Sequence, residues 1–108
     1  MPITSLAVPT PAPGEIKLTS ANTWYPLQAN SKPCTKVRLS APTAASPNGA
    51  VNVKSILVCE SISQPDTTAG AWELPATATG LNYVLVSDAS LVWLYALSAG
   101  DAVEYSVQ

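Results

Sequence analysis

Histidine and phenylalanine are absent from this chain of 108 residues, and charged side chains make up only 11% of it. Histidine is the usual general base near neutral pH. Without it the common serine and cysteine triads cannot form, because a hydroxyl or thiol nucleophile needs an adjacent base. No G-x-S-x-G or S-x-x-K segment occurs, and no C-x-x-C spacing. These absences favour a protein that is not an enzyme.

Metal and cofactor motifs are missing as well. Two cysteines without histidine cannot complete a four-ligand zinc site in one subunit. The chain has no calcium-loop order of acidic residues and no glycine-rich phosphate loop. We therefore expect no metal and no cofactor. A small glycosidase with two carboxylates stays open as a minor alternative, although nothing singles out two of the seven acids.

Chain length, net charge, cysteine count and the length of the apolar stretches predict a single soluble domain. The net charge of −2 gives no general attraction to nucleic acid. Cys34 and Cys59 are too few for a disulfide framework, and two reduced, buried thiols are preferred over a single bridge. The longest apolar stretch, residues 90–99, is too short to span a bilayer. With no secretory signal visible, we expect a protein made in a cytoplasm and without a membrane partner.

Residues 1–14 form a distinct proline-rich segment, MPITSLAVPTPAPG. Proline fixes φ and removes a backbone donor, so this segment should be extended rather than helical or part of a central strand. A disordered tail is one interpretation. The other is an arm that lies along a neighbouring subunit, with Ile3, Leu6 and Val8 as apolar anchors. The predicted domain boundaries are therefore 1–14 for the arm and 15–108 for the body.

The body shows about seven or eight short strand patterns separated by turn signals. They cover residues 15–19, 23–28, 35–41, 51–60, 71–74, 82–87, 91–97 and 102–107. Ten prolines and few strong helix formers argue against a helical bundle. The chain is therefore predicted to be all-β, an antiparallel β-sandwich or small barrel.

Individual patterns give more detail. In 35–41, Val37, Leu39 and Ala41 alternate with polar residues and should face the core. Segment 51–60 reads as one long strand, and 91–97, apolar on both faces, as a central strand. Trp93 and Tyr95 share a face with other apolar residues of 91–97, and that face is expected to pack in the core.

Charge and aromatic side chains indicate candidate contact surfaces. All five basic residues lie within 1–54, and six of the seven acids follow them. This sorting suits either ordinary surface charge or a head-to-tail contact between a positive strand and an acidic strand. Trp24 and Tyr25 lie near an expected edge strand, interrupted by Pro26. We expect Trp24, Tyr25, Lys36 and Arg38 to contribute to a protein interface.

Two stretches resemble a known family. KPCTKVRLSA (32–41) with NGAVNV (48–53) looks like the pattern PC-x-x-V-x-I-x-A … N-x-G-x-V-x-V of small β proteins in tailed-phage virions. WELP (72–75), LVWLY (91–95) and AGDAV (99–103) are similar to the closing part of the same module. The resemblance covers about residues 23–108. The family's Y-V-G is replaced by residues 53–55, and its P-G-E-S loop by residues 75–80.

The resemblance implies a non-enzymatic virion part. The expected function is a capsid decoration (cement) protein that binds the assembled capsid as an oligomer, with a homotrimer favoured. Its partner would be the major capsid protein or another virion protein, and its location the virion. The alternative is a tail- or fibre-associated module that binds host carbohydrate through Trp24 or Trp72. A bacterial adhesion domain is a weaker alternative.

Overall fold

The computed structural model describes residues 12–43, 51–77 and 82–108. Within these ranges the chain forms eight strands and one short 3₁₀ turn, Ala89–Leu91. The strands are β1 (Ala12–Lys17), β2 (Trp24–Pro26), β3 (Lys36–Ser40), β4 (Ile56–Glu60), β5 (Trp72–Leu74), β6 (Asn82–Leu85), β7 (Val92–Ala96) and β8 (Ala102–Val107). The prediction of an all-β fold is confirmed.

The strands form two four-stranded sheets. Sheet A has the order β1-β8-β3-β6 and sheet B the order β2-β7-β4-β5. Every paired strand is antiparallel to its neighbour. This strand order is that of an eight-stranded jelly roll, a sandwich made from two Greek keys.

The core lies between the sheets and is built by alternation along each strand. In sheet A, Val37 and Leu39 of β3 are fully buried, as the sequence pattern predicts. In sheet B, the inward residues of β4 and β7 fill the other side. The fully buried members are Ile56, Val58, Val92, Leu94 and Ala96. Aliphatic side chains from both layers thus meet in one cluster.

β7 is a central strand, as predicted, but its faces are the reverse of the expectation. Val92 and Leu94 point into the core with no exposed surface, while Trp93 and Tyr95 lie half-buried on the outer side of sheet B. The prediction that Trp93 packs in the core is wrong. Because both faces of the segment are apolar, alternation alone does not say which one faces inward.

The strand predicted at 51–60 is shorter in the structure and begins at Ile56. Val51 is 61% exposed and Val53 is 71% exposed. The backbone of 51–54 is instead fixed by two buried side chains. Asn52 hydrogen-bonds both backbone groups of Ala102, and Asp101 accepts the N–H groups of residues 53 and 54. Side-chain bonds of this kind compete with a strand ladder.

β1 is an edge strand of sheet A that begins at Ala12, so the last three residues of the predicted arm pair with β8. An edge position tolerates Pro13, because its missing N–H is not needed by a second neighbour. Gly14 lies opposite Tyr105, and a Cβ at Gly14 would approach the Tyr105 Cζ to 2.6 Å. The Tyr105 Oη accepts a 2.9 Å hydrogen bond from Gln28, which ties the segment after β2 to sheet A.

Candidate functional site

The predicted contact residues lie on different parts of the sandwich. Lys36 and Arg38 are on the outer face of sheet A, whereas Trp24 and Tyr25 are in β2 of sheet B. They do not form one surface. The arm anchors Ile3, Leu6 and Val8 lie outside the described residues, as does the turn predicted at 46–49.

A basic and apolar surface follows β3 and β6, and we call it the β3–β6 strip; its members are Lys36, Arg38, Tyr83 and Leu85. The strand register places Lys36 opposite Leu85, and Arg38 opposite Tyr83. The Lys36 Nζ lies 4.6 Å from the centroid of the Tyr83 ring, a cation–π distance. Leu85 is 77% exposed on the edge strand of sheet A. The strip therefore combines charge, an aromatic ring and an apolar side chain, as interface cores do.

The acidic counterpart lies on sheet B. Glu60, at the end of β4, and Glu73, on the edge strand β5, are both exposed. The sorting of charge along the sequence does not separate the charges by sheet, because Glu15 of β1 and Glu104 of β8 lie in sheet A with Lys36 and Arg38. Complementary patches on different faces of one body suit a head-to-tail contact.

Trp24 is buried, at 6% exposure, which differs from its predicted role as an exposed contact residue. It pairs with Tyr95 of β7, and the two ring centroids are 5.0 Å apart at an angle of 55°. The loop after β4 closes over them, because the Gln64 side-chain amide donates to the Trp24 carbonyl at 3.2 Å. Trp72 is 40% exposed on β5, at the opposite edge of the same sheet.

A cavity of about 500 Å³ remains between this loop and the turn that precedes β2. We call it the β2 cleft. The residues that line it include Asn22, Trp24, Gln64, Asp66, Thr68 and Tyr95. Asn22 has a φ of 56°, in the left-handed region that asparagine tolerates better than most residues. Its backbone N–H donates to Ala96 at 2.8 Å, which fixes the turn against β7.

The Tyr25 ring packs against the core, and its hydroxyl contacts the turn before β2. The Tyr25 Oη accepts the backbone N–H of Ser20 at 3.1 Å and lies 3.4 Å from the Thr19 hydroxyl. These hydrogen bonds lower the pKa of Tyr25. The side chain therefore organises a turn and offers only part of its surface to a partner.

Asp88 fastens the connection that leads into β3. It receives hydrogen bonds from the Ser31 hydroxyl, from the Lys32 N–H at 2.9 Å and from the Ser90 N–H at 2.9 Å. These donors hold the pKa of the Asp88 carboxyl well below its usual range. The same residue caps the 3₁₀ turn. Asp88 is thus a structural clamp at the end of sheet A where Lys36 begins β3.

The two cysteines are not bonded to each other, in line with the preferred sequence interpretation, and both are half-buried. The Cys34 thiol donates to the Val86 carbonyl at 3.2 Å. Burial raises the pKa of Cys34, and the nearby Asp88 carboxylate adds to the effect. A raised pKa lowers the fraction of reactive thiolate. The geometry at Cys34 is that of a packed side chain.

Within the described residues, no three side chains of the His, Cys, Asp and Glu types lie close enough together to hold a metal ion. The same part of the chain contains no helix with the length and apolarity needed to cross a bilayer. Comparison of the chain with protein-family models, curated proteins and solved structures gave no match.

Sequence patterns gave no signal for Tyr83 and Leu85 as contact residues, or for the β2 cleft. The strip depends on the β3–β6 register, which places residues more than forty positions apart side by side. The cleft joins a turn, a loop and the outer face of β7. Alternation identified Lys36 and Arg38 as outward residues, but it contains no information on which strand would lie beside them.

Proposed function

We propose that this chain is a structural protein of a tailed-phage virion, a capsid decoration protein that binds the assembled capsid as an oligomer. The motifs in 32–53 and 72–103 support this assignment through their resemblance to small virion proteins. The jelly roll supports it by analogy, because this fold occurs in viral capsid domains and also in lectins and cupins.

The observation that carries the proposal is the β3–β6 strip. A leucine with 77% of its surface exposed sits beside a lysine and an arginine on a sheet edge. β6 itself carries no charged residue, so the edge lacks the charge that commonly protects edge strands from pairing. A partner that covers Leu85 and brings carboxylates to Lys36 and Arg38 would bind this surface with a favourable free energy.

The partner we assign to the strip is a second copy of the chain. Exposed Glu60 and Glu73 on sheet B give the opposite charge on another face of the same body. A head-to-tail contact between these faces closes into a ring when the rotation permits, and a trimer is the ring that the family resemblance implies. Screening by salt should weaken such an oligomer.

The arm then attaches the ring to the shell. Ile3, Leu6 and Val8 are the anchors assigned to the capsid protein. A ring that binds only the assembled shell stabilises it by mass action, since binding to one state shifts the equilibrium toward that state. Several arms on one ring also raise the effective concentration of each anchor at the shell.

The first experiment tests the ring. Sedimentation at low and high salt compares the wild type with Lys36→Glu and with Lys54→Glu, a matched charge reversal outside the strip. We expect an oligomer that dissociates at high salt and on Lys36→Glu but persists with Lys54→Glu. An oligomer indifferent to salt and to Lys36→Glu contradicts the assigned contact.

The second experiment tests attachment to the shell. The purified protein is added to empty capsids of the phage that encodes it, and electron microscopy shows whether density is added to the shell. Deletion of residues 1–11 leaves β1 intact, because pairing with β8 starts at Ala12. We expect the deleted form to fold but to leave the capsids bare. Capsids that never bind the full chain overturn the decoration function, and capsids coated by the deleted form overturn the role of the arm.

A further inference from the structure

The β2 cleft has the size and the lining of a site for a small polar ligand. Its volume of about 500 Å³ falls within the range of ligand pockets, about 300–1,000 Å³. Most ligand pockets are lined mainly by apolar side chains. This one is lined mainly by amide, hydroxyl and carboxylate groups, together with the aromatic pair Trp24 and Tyr95.

The aromatic pair lines the cleft from two neighbouring strands. Trp24 and Tyr95 lie opposite each other on neighbouring strands, so both rings are held by the sheet. Trp24 is almost fully covered, while Tyr95 keeps part of its surface open. The Tyr95 hydroxyl lies 3.4 Å from the Asn22 Oδ1, which keeps the ring at the wall of the cleft. An aromatic surface with a polar tip suits a ligand that has both C–H and O–H groups.

The polar side chains match hydroxyl groups. The amides of Asn22 and Gln64 each offer donors and an acceptor, and the threonine hydroxyls do the same. Asp66 contributes a carboxylate, which makes the stronger, charge-assisted hydrogen bonds. A sugar hydroxyl likewise both donates and accepts, so vicinal hydroxyls fit an array of this mixed kind.

Charge restricts the ligand further. Among the described residues that line the cleft, Asp66 is the one ionised side chain, and none of them is a lysine or an arginine. Phosphate, sulfate and carboxylate groups would meet a negative charge without a compensating cation. The lining therefore selects against acidic ligands, including sulfated and sialylated glycans.

We infer that the β2 cleft binds a neutral saccharide, with Tyr95 against the sugar ring and with Asn22, Gln64 and Asp66 on its hydroxyls. This activity goes beyond capsid decoration and does not depend on it. The residues that carry it differ from the β3–β6 strip and from the arm. A chain that fails to bind capsids could thus still bind the saccharide, and a chain that binds no saccharide could still bind capsids.

The test uses nuclear magnetic resonance of the full chain with a panel of neutral oligosaccharides: maltotriose, cellotriose, chitotriose, mannotriose and lactose. Sialyllactose is the acidic comparator. We expect at least one neutral sugar to shift the side-chain amide signals of Asn22 and Gln64, with a dissociation constant in the millimolar range or tighter. The acidic comparator should leave these signals unchanged.

Variants separate the cleft from the rest of the surface. Asp66→Ala removes an exposed carboxylate, and Asn22→Gly removes the amide while keeping a residue that accepts a positive φ. Each should weaken binding about tenfold, the equivalent of one hydrogen bond to a charged or well-placed group. Lys54→Ala is the control, an exposed charged side chain outside both the cleft and the β3–β6 strip, and should bind as the wild type does.

Three results overturn the inference. The first is that no neutral sugar shifts the cleft signals at high millimolar concentration. The second is that only the acidic comparator binds. The third is binding that Lys54→Ala weakens as much as Asp66→Ala, or binding that shifts the signals of Trp72 in place of those in the cleft.

Discussion

Residues 51–55 and 61–71 are the two connections that flank β4, and different groups attach them to the sandwich. The first is held by buried polar side chains. Asn52 is 8% exposed and Asp101 is 3% exposed, and together they make four hydrogen bonds between this connection and residues 101–102. No aromatic ring takes part in these bonds.

The second connection rests on aromatic side chains. The Trp93 indole N–H donates to the Ser61 carbonyl at 2.9 Å, and Ser61 donates its own N–H to Leu91 at 2.8 Å. Beyond this point Gln64 is bonded to the Trp24 carbonyl, and the loop passes over the Trp24 and Tyr95 rings.

The difference shows how one sandwich supports both a fixed connection and a ligand cleft. Buried polar groups need specific partners, so a satisfied network allows one arrangement of residues 51–55. Aromatic packing is less directional. The loop 61–71 lies beside the Trp24 and Tyr95 rings and leaves the β2 cleft between them. Function tends to reside in loops carried by a rigid scaffold. The cleft is on the connection that is held by packing.

The largest expected effect comes from breaking the aromatic support. Trp24→Ala should lower the free energy of unfolding by about 3 kcal/mol, because it empties a buried aromatic site. It should also release loop 61–71, seen as faster amide hydrogen exchange at Ser61, Ala69 and Ala71, whose N–H groups are hydrogen-bonded. Urea unfolding monitored by circular dichroism measures the first effect.

Tyr83→Ala is the control for Trp24→Ala, since Tyr83 is an aromatic residue of the other sheet with 38% exposure. Tyr83→Ala should lower the free energy of unfolding by less than about 1 kcal/mol, as most surface substitutions do. Equal costs for the two variants would show that the aromatic support of the loop is no stronger than a surface contact.

Sequence patterns predicted the fold class and most strand positions because alternation in β3 and β8 reports burial directly. Val37 and Leu39 face the core as expected, and so do Val103 and Val107. The same reasoning failed for β7, where a loop distant in sequence covers the outer face and thereby accommodates Trp93. The alternation of apolar residues contains no information about such a cover.

The prediction that β4 begins at residue 51, and not at Ile56 as in the structure, failed for a different reason. Val51 and Val53 have the β propensity and the alternation of a strand. Tertiary contacts override that preference, because the Asp101 carboxylate accepts the N–H groups of residues 53 and 54 and the Asn52 side chain holds the segment to Ala102. Neither side chain can be recognised as a clamp before its partner is known. Candidate site residues are hard to predict for the same reason, since their neighbours come from the register.

The second prediction breaks the polar connection. Asp101→Ala should lower the free energy of unfolding by about 2 kcal/mol, because two backbone N–H groups lose a charged acceptor in a mostly buried place. Urea unfolding measures the change. Asp66→Ala is the control, a carboxylate of the other connection that is exposed, and it should shift stability by less than about 0.5 kcal/mol. A loss confined to Asp101→Ala supports the contrast between the two connections, and equal losses contradict it.

The smallest expected effect concerns pH and sharpens the same contrast. Asp88 is a polar clamp like Asp101, and its pKa is lowered in the folded state, chiefly by the hydrogen bond from Ser31. The unfolded chain then binds a proton more readily than the folded chain, so this contribution is complete above the ordinary carboxyl pKa of about 4 and is lost as pH falls below it. The hydrogen bonds from Gln64 to the Trp24 carbonyl and from Trp93 to the Ser61 carbonyl, and the Trp24–Tyr95 ring pair, involve no ionised group.

Acidification should therefore loosen the Asp88 clamp before it loosens loop 61–71. In hydrogen exchange between neutral pH and about pH 3, after correction for intrinsic rates, protection at Lys32 and Ser90 should fall while the Trp93 indole N–H stays protected. Asp88→Asn should start with lower protection at residues 32 and 90 at neutral pH and lose little more in acid, because the titrating group is gone. Parallel losses for the wild type and Asp88→Asn would assign the acid sensitivity to other carboxylates. Loss at Trp93 before Lys32 would show that the aromatic connection is the weaker of the two.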